Sequence, residues 1–208
     1  MPVILFQGDS ITDVGRNRNV AGANNAGALG GGYPLIAASH MMRAHPDSGL
    51  QILNRGVSGD KVPQLQARWE TDTIALKPDI LSILVGVNDL WHKLNGNSNG
   101  TVADYESQYH ELLKGTLLAL PAVRLVILEP FVLVTGAVNE KWFPEFDERR
   151  AAAARVAKGL NATFIPLQSM FTQLAKTAPA SYWLGDGVHP TIAGHAAIAD
   201  RWREVVNL

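Results

Sequence analysis

Short runs of apolar residues alternate along the chain with longer stretches in which apolar positions recur every three or four residues. The short runs predict buried strands, at residues 3–7, 51–54, 80–85, 124–129 and 163–167. The longer stretches predict helices, at residues 34–44, 62–75, 102–120, 144–160 and 191–206. The chain therefore has the repeated strand–helix pattern of an α/β protein.

The predicted strands lack the alternation of apolar and polar residues that a half-exposed sheet shows. The run at 80–85, for example, is apolar except for Ser82. Continuous apolar strands are typical of a parallel sheet with helices on both faces. In the last predicted helix, an apolar stripe from Ile192 to Val206 would pack on that sheet. We therefore predict a three-layer α/β/α sandwich around a five-stranded parallel, flavodoxin-like sheet.

The composition is that of one globular domain. With 208 residues, 47% of them hydrophobic, the chain can bury a substantial core, and we predict a single domain over residues 1–208. Eighteen basic and nineteen acidic side chains give a net charge of −1 without a basic stripe, which argues against a nucleic-acid partner. The absence of cysteine excludes disulfides, thiolate metal sites and a cysteine nucleophile, so serine becomes the leading candidate for covalent chemistry.

The sequence gives no sign of membrane insertion or export. No run of about 18 apolar residues occurs, so we predict no membrane partner. The apolar start at residues 1–6 lacks the basic flank, the long hydrophobic region and the small-residue cleavage site of a secretory signal. We therefore predict a cytoplasmic protein, although a leader peptide removed earlier would leave the same sequence.

Glycine stands beside hydrogen-bonding residues after each of the first three predicted strands. The segments are GDSI at 8–11, NRGVSGD at 54–60 and GVND at 86–89. Ligands of open parallel sheets bind where loops leave the carboxyl ends of the strands. Because glycine lets the backbone approach a substrate closely, such loops suit a site built from main-chain N–H donors.

A fourth polar segment, DGVHP at 186–190, precedes the last predicted helix. Asp186 and His189 are three residues apart, a spacing at which the carboxylate can accept the Nδ1 proton while Nε2 points elsewhere. Taken alone, each of the four segments has a structural explanation as a turn or a helix cap. Their joint occurrence favours catalysis by a serine nucleophile at Ser10.

The four segments together resemble the SGNH hydrolase family, also called GDSL esterases and lipases, over nearly the whole chain. The signature residues of that family fall on Ser10, Gly59, Asn88 and His189, with Asp186 in the last segment. The stretches GDSITDVGRNR, GALGGGY and GVNDLW are further similar to the acetyl-xylan esterases of the family.

The resemblance implies an acyl-enzyme mechanism that needs no cofactor and no metal ion. Ser10 would attack the ester carbonyl, His189 would act as base and then as acid, and Asp186 would orient the imidazole. The oxyanion hole would consist of the backbone N–H groups of Ser10 and Gly59 and the side-chain amide of Asn88. A homo-oligomer is a further implication of the resemblance.

Two tryptophans near the predicted site are candidates for substrate binding. Trp91 lies three residues after Asn88, and Trp183 lies three residues before Asp186. Indole faces suit sugar rings and small acyl groups, but packing in the core explains both residues equally well. As a hypothesis, Trp91 narrows the acyl side of the site to acetyl.

Other polar features receive structural interpretations. Asp9 and Asp13 flank Ser10 and could orient an imidazole, but stabilisation of the turn is favoured. The glycine-rich stretch at 24–32 lacks the Gly-Lys-Ser/Thr ending of a phosphate-binding loop and is predicted to be a plain loop. No metal site is predicted, since no ligand spacing connects the remaining histidines, His40, His45, His92, His110 and His195.

Four functions stay open at this point. The favoured one is O-deacetylation of xylo-oligosaccharides or related small acetylated sugars. The second keeps the mechanism but assigns other short acyl groups, as in an arylesterase or a thioesterase. The third, from another class, is a non-catalytic flavodoxin-like binding domain in which Ser10 has no special reactivity. The fourth, phosphate binding by residues 24–32, predicts stabilisation by nucleotides and no ester turnover.

Overall fold

Five parallel strands form one sheet in the computed structural model, which describes residues 1–20 and 22–207. The strands are β1 (Val3–Gly8), β2 (Gln51–Asn54), β3 (Ile80–Leu84), β4 (Arg124–Leu128) and β5 (Thr163–Ile165). Their order across the sheet is β2-β1-β3-β4-β5, and every neighbouring pair is parallel. This is the flavodoxin-like order, so the predicted sheet is confirmed.

Helices connect the strands and cover the sheet. They are α1 (Ser10–Asp13), α2 (Ala26–Leu29), α3 (Tyr33–Ala44), α4 (Val62–Ala67), α5 (Trp69–Asp72), α6 (Val87–Leu94), α7 (Val102–Ala119), α8 (Glu145–Gly159), α9 (Leu167–Leu174), α10 (Ala180–Trp183) and α11 (Ile192–Val206). The longest helices begin with side-chain caps or a proline near the first turn: Thr101 caps α7, Thr191 caps α11, and Pro34 lies in the first turn of α3.

A separate hydrophobic core lies between the sheet and the helices on each of its two faces. Successive residues of a strand point to opposite faces, so Phe6 of β1 packs with α3 and α11, while Leu5 packs with α4, α7 and α8. The one polar residue of β3, Ser82, is satisfied in the first core, where its hydroxyl accepts a hydrogen bond from Trp202 Nε1 at 2.9 Å. Two cores around one sheet confirm the predicted three-layer sandwich.

Some predicted boundaries were wrong. The helix predicted at 62–75 is interrupted at Arg68, whose guanidinium turns back to the sheet edge and donates to the Asp60 carboxylate and the Arg55 carbonyl. The strand predicted at 163–167 ends at Ile165, because Pro166 has no N–H for the sheet and α9 begins directly after it. The prediction also missed α6, which only Val85 and Gly86 separate from β3.

The strand order brings the polar segments that follow β1, β2 and β3 to the same end of the sheet. The chain passes from β1 to β2 on one side of β1 and then crosses to β3 on its other side, so the strand order reverses between β1 and β3. Loops leaving the carboxyl ends of these strands flank a crevice at that reversal, where open α/β sheets bind their ligands. Within the described part of the chain, no helix combines the length and apolar character that crossing a membrane requires.

Candidate active site

Ser10 is placed by the sharp turn between β1 and α1. It is the first residue of α1, directly after the helix cap Asp9, whose Oδ1 accepts the backbone N–H of Ile11 at 3.0 Å. The turn thereby holds Ser10 at the carboxyl end of β1, next to the reversal of strand order. Asp9 thus has the turn-stabilising contact that the sequence favoured.

His189 lies between Ser10 and Asp186. The distance from Ser10 Oγ to His189 Nε2 is 2.9 Å, and the distance from His189 Nδ1 to Asp186 Oδ2 is 2.7 Å. Ser10 and His189 are 179 positions apart in the sequence, so the fold alone brings them together. The three side chains therefore form a continuous hydrogen-bonded chain from hydroxyl to imidazole to carboxylate, in which a proton can move from the hydroxyl to the ring.

The carboxylate of Asp186 is held in its ionised form. Burial opposes ionisation, but hydrogen bonds from the backbone and the ring of His189 and from the backbone of Val188 outweigh it and lower the pKa of Asp186. Its Oδ1 accepts both backbone N–H groups, at 2.7 Å from His189 and 2.9 Å from Val188. The His189 side chain is 43% exposed and that of Asp186 40%, so the site opens directly to solvent.

The loop after β4 fixes the Asp186–His189 turn. The Leu133 N–H donates to the Gly187 carbonyl at 2.9 Å, and the Ala137 N–H donates to the Asp186 carbonyl at 2.8 Å. Gly187 has φ +91°, and a Cβ there would lie 2.4 Å from the Thr135 carbonyl oxygen, so only glycine fits the turn against this loop. Sequence reasoning missed this contact, because residues 133–137 carry no recognisable catalytic pattern.

The segment after β2 runs beside Ser10. Its Val57 N–H donates to the carbonyl of Gly8, the last residue of β1, at 3.0 Å, which continues the pairing with β1 past the end of β2. Gly59 follows in a tight turn with φ +86°, a conformation that glycine adopts without strain. The turn lies between Ser58, whose N–H donates to Asp13 at the end of α1, and Asp60, whose carbonyl accepts from Asn88.

The Asn88 side chain is fixed against that turn. Asn88 is 5% exposed, and its Nδ2 donates to the Asp60 carbonyl at 3.1 Å, one residue after Gly59. An amide nitrogen has two N–H groups, so this contact occupies one of them and orients the other. Ser10, Gly59 and Asn88 thus come from the ends of β1, β2 and β3, as the strand-end argument predicted.

Asn54, which the sequence interpretation overlooked, ties the segment after β2 to the nucleophile helix. Its Nδ2 donates to the Thr12 carbonyl at 2.6 Å and to the Leu29 carbonyl at 2.8 Å, while its Oδ1 accepts the Gly56 N–H at 2.8 Å. A buried asparagine with all these contacts satisfied makes the relative position of the two segments rigid. Only its place in NRGVSGD, at the end of a strand, could have pointed to it.

Two buried carboxyls lie behind the site. Burial, with the carboxylates of Asp89 and Asp60 nearby, raises the pKa of Asp9 to about 7. Burial likewise raises the pKa of Asp89 to about 7, against the opposing charges of Arg149 and Lys61. Because charged carboxylates are costly to bury, both side chains favour their neutral forms in this environment.

The two candidate tryptophans have different surroundings. The Trp91 ring is half-buried, with its centroid 5.8 Å from the His189 ring and 5.6 Å from the Trp142 ring. Trp91 therefore backs the imidazole directly. Trp183 packs against the core and lies edge-to-face with Tyr182 at 5.0 Å. The exposed aromatic side chain of α10 is instead that of Tyr182, which is 56% exposed and was not singled out from the sequence.

The remaining sequence candidates have structural surroundings. His195 is buried, its Nδ1 accepts the Tyr33 N–H at 3.3 Å, and burial lowers its pKa to about 4. Part of the glycine-rich stretch at 24–32 forms α2, which Asn25 caps through the Ala28 N–H at 3.2 Å. Among the residues that the structure describes, no three histidine or acidic side chains come close enough to hold a metal ion.

Comparison with known proteins gives a consistent picture. The model of the GDSL-like lipase/acylhydrolase family matches residues 6–197. An acetylxylan esterase of Geobacillus stearothermophilus is 34% identical over 197 residues, which cover 94% of this chain and 90% of that protein.

Solved structures agree closely with this fold. A protein described as a GDSL-like lipase from Parabacteroides merdae is 45% identical, with a TM-score of 0.97 over 99% of this chain and 95% of its own. Axe2, an acetylxylan esterase from Geobacillus stearothermophilus, is 31% identical, with a TM-score of 0.87 over 100% of this chain and 94% of its own. Catalytic mutants of Axe2 carry alanine in place of a serine, of an aspartate and of a histidine three positions after the aspartate.

Proposed function

The chain belongs to the GDSL-like lipase/acylhydrolase family and is a carboxylic ester hydrolase; within that class, we propose that it removes acetyl groups from xylo-oligosaccharides or related sugars through an acyl-enzyme on Ser10. The observation that carries this proposal is the hydrogen-bonded chain from Ser10 through His189 to Asp186. The serine, aspartate and histidine of the Axe2 catalytic mutants support the same three roles here.

The first half of the reaction transfers the acyl group to the enzyme. Ser10 Oγ bonds to the ester carbonyl carbon while its proton passes to His189 Nε2, 2.9 Å away. Asp186, ionised because its pKa is lowered, stabilises the imidazolium through Nδ1. His189 then gives the proton to the alcohol oxygen as the bond between that oxygen and the carbonyl carbon breaks, and the acetyl group stays on Ser10.

The second half releases the acid. A water molecule attacks the acyl carbon, and His189 takes its proton. When the bond to Ser10 Oγ breaks, that oxygen takes the proton back from the imidazolium, and acetate leaves. One ester and one water give one alcohol and one acid, and the protein returns to its starting state.

Negative charge develops on the carbonyl oxygen in both halves. We assign its stabilisation to the backbone N–H groups of Ser10 and Gly59 and to the Asn88 amide. The contact of Asn88 with the Asp60 carbonyl fixes that amide before the substrate binds, so no energy is spent on reorienting it. Donors of this kind stabilise the transition state by about 2.7–4 kcal/mol each.

Two observations support a small acetylated sugar as the substrate. The Geobacillus relative is an acetylxylan esterase, and a solved variant of it is described as an acetyl-xylooligosaccharide esterase. The backbone carbonyl of Tyr182 accepts the Thr191 hydroxyl at 2.7 Å, which places this residue next to the segment that follows His189. Its side chain is exposed there, and aromatic faces suit sugar rings. Trp91, against the imidazole, forms the wall that limits the acyl group.

A short-chain esterase or thioesterase with another leaving group is the second candidate. The open surface around His189, 43% exposed, favours it, because that geometry does not select one alcohol. Both candidates use the same residues, so only the choice of substrate separates them.

Acetate release from acetylated xylo-oligosaccharides tests the proposal, measured beside p-nitrophenyl acetate, p-nitrophenyl octanoate and an acetyl thioester. The variants are Ser10→Ala and, as a matched control on an exposed helix position, Ser39→Ala. We expect efficient release of sugar acetate by the wild type and by Ser39→Ala and none by Ser10→Ala. Turnover of the activated esters alone would refute the sugar assignment, and full activity of Ser10→Ala would refute the mechanism.

A further inference from the structure

We infer that Asp13 is a positioning residue that sets the oxyanion-hole segment at its working distance from Ser10, an inference that rests on the proposed function. Asp13 is the last residue of α1, one turn after Ser10, and is 3% exposed. Asp13 does not take part in the hydrogen-bonded chain of Ser10, His189 and Asp186, because the partner of His189 Nδ1 is Asp186. Its role must therefore be sought in what its carboxylate binds.

The Asp13 carboxylate binds the residue immediately before Gly59. Its Oδ2 accepts the Ser58 backbone N–H at 2.9 Å and the Ser58 hydroxyl at 3.0 Å. The two bonds fix both the backbone and the side chain of Ser58, and hence the direction in which the chain enters Gly59. The backbone N–H of Gly59 is one of the proposed oxyanion donors, so Asp13 connects the nucleophile helix to that donor.

Two arginines reinforce the connection between Asp13 and the segment after β2. Arg18 Nη2 donates to Asp13 Oδ2 at 2.6 Å, and the Arg16 backbone N–H donates to Oδ1 at 3.2 Å. Arg16 Nε in turn donates to the Gly56 carbonyl at 2.7 Å, three residues before Gly59. Burial opposes ionisation of Asp13, but Arg18 and the two Ser58 donors outweigh it and lower the pKa of this carboxyl.

The segment after β2 packs tightly against α1. A Cβ on Gly56 would lie 2.6 Å from the Asp13 backbone nitrogen, so the segment rests directly on α1. Asn54 holds the start of the segment through Thr12, and Asp13 holds its end through Ser58. Loss of the second link would free the Gly59 end while leaving Ser10, His189 and Asp186 in place.

The test compares Asp13→Asn with Asp79→Asn. Asp79 Oδ2 accepts the Val3 N–H at 2.7 Å, the same kind of contact at the opposite end of β1. In Asp13→Asn the side chain loses its charge and one of its two acceptor oxygens, so it cannot accept from Ser58 and Arg18 on one side and from the Arg16 N–H on the other at the same time. Ser58→Ala, which removes only the hydroxyl contact, is a milder second variant that reports the same link if Asp13→Asn does not fold.

We expect kcat for p-nitrophenyl acetate to fall about tenfold in Asp13→Asn, with KM within about twofold, since displaced donors act on the transition state. The inhibition constant of trifluoroacetone, a methyl ketone to which Ser10 Oγ adds to give an oxyanion, should rise by a similar factor. The pH dependence of kcat/KM and the activity of Asp79→Asn should match the wild type.

A lower melting temperature with unchanged kcat and ketone affinity would overturn the inference and leave Asp13 a purely structural residue. A shifted pH profile would also overturn it, since it would place the defect in His189. If the wild type itself hydrolyses no ester, the proposed function fails instead, so the two failures are distinguishable.

Discussion

Replacing Asn88 with alanine is expected to lower kcat by about 10²–10³-fold in a protein that still folds. The substitution removes two interactions, one that acts on the transition state and one that acts on folding. Removing the donor to the oxyanion costs about 2.7–4 kcal/mol of transition-state stabilisation, which gives the stated factor. Removing the 3.1 Å contact leaves the buried Asp60 carbonyl without this partner, at a cost of about 1–3 kcal/mol in folding free energy.

The assay is steady-state hydrolysis of p-nitrophenyl acetate, with thermal unfolding of the same samples. For a chain of this size, each kcal/mol lowers the melting temperature by about 2–4 °C, so the variant should stay folded at 25 °C. Asn97→Ala, at an exposed position after α6, is the control and should match the wild type. A fall in kcat below tenfold in folded Asn88→Ala would refute the assignment of its amide to the oxyanion hole.

Three further predictions concern the acyl wall, the turn that carries His189 and the buried carboxyls. Trp91→Ala should reduce the preference for p-nitrophenyl acetate over the octanoate by about tenfold, because the wall behind the imidazole is lost; an unchanged ratio of kcat/KM values would contradict this. Gly187→Ala should lower both activity and melting temperature, since its Cβ would meet the Thr135 carbonyl at 2.4 Å, whereas Gly115→Ala in α7 should raise the melting temperature slightly. Asp89 has a folded-state pKa of about 7, above its ordinary 3.8, so its contribution to stability is complete below pH 3.8 and is lost as the pH rises through 7. From pH 5 to pH 7 this loss is about 2–3 kcal/mol, so the melting temperature of Asp89→Asn should gain about 4–12 °C on that of the wild type over this range. Parallel pH curves for the two proteins would refute this.

The sheet and the place of the site could be predicted because they depend on local signals. Continuous apolar runs marked all five strands, and the polar segments after β1, β2 and β3 marked the edge where parallel strands end together. The spacing of Asp186 and His189 within one turn also indicated that their side chains meet, which they do at 2.7 Å. In each case the information lies within a few residues of sequence.

The supports of the site could not be predicted, because they join segments that are distant in sequence and chemically ordinary. The loop at 133–137 meets the Asp186–His189 turn through backbone groups, which any residue type supplies. Arg68 interrupts a helix because of contacts with β1 and with the loop after β2. The pKa values of Asp13 and Asp9 shift in opposite directions, because the Asp13 carboxylate accepts hydrogen bonds from Arg18 and Ser58, whereas Asp9 is fully buried with the carboxylates of Asp89 and Asp60 nearby.

The measurement that tests the central claim most directly is labelling with a fluorophosphonate, followed by peptide mapping of the modified residue. The reagent forms a bond only with a serine whose hydroxyl is activated and whose oxyanion donors are in place. We predict a single label on Ser10 in the wild type, very slow labelling of His189→Ala and no labelling of Ser10→Ala. A wild-type protein that is folded yet unlabelled, or labelled equally well after loss of His189, would contradict the account.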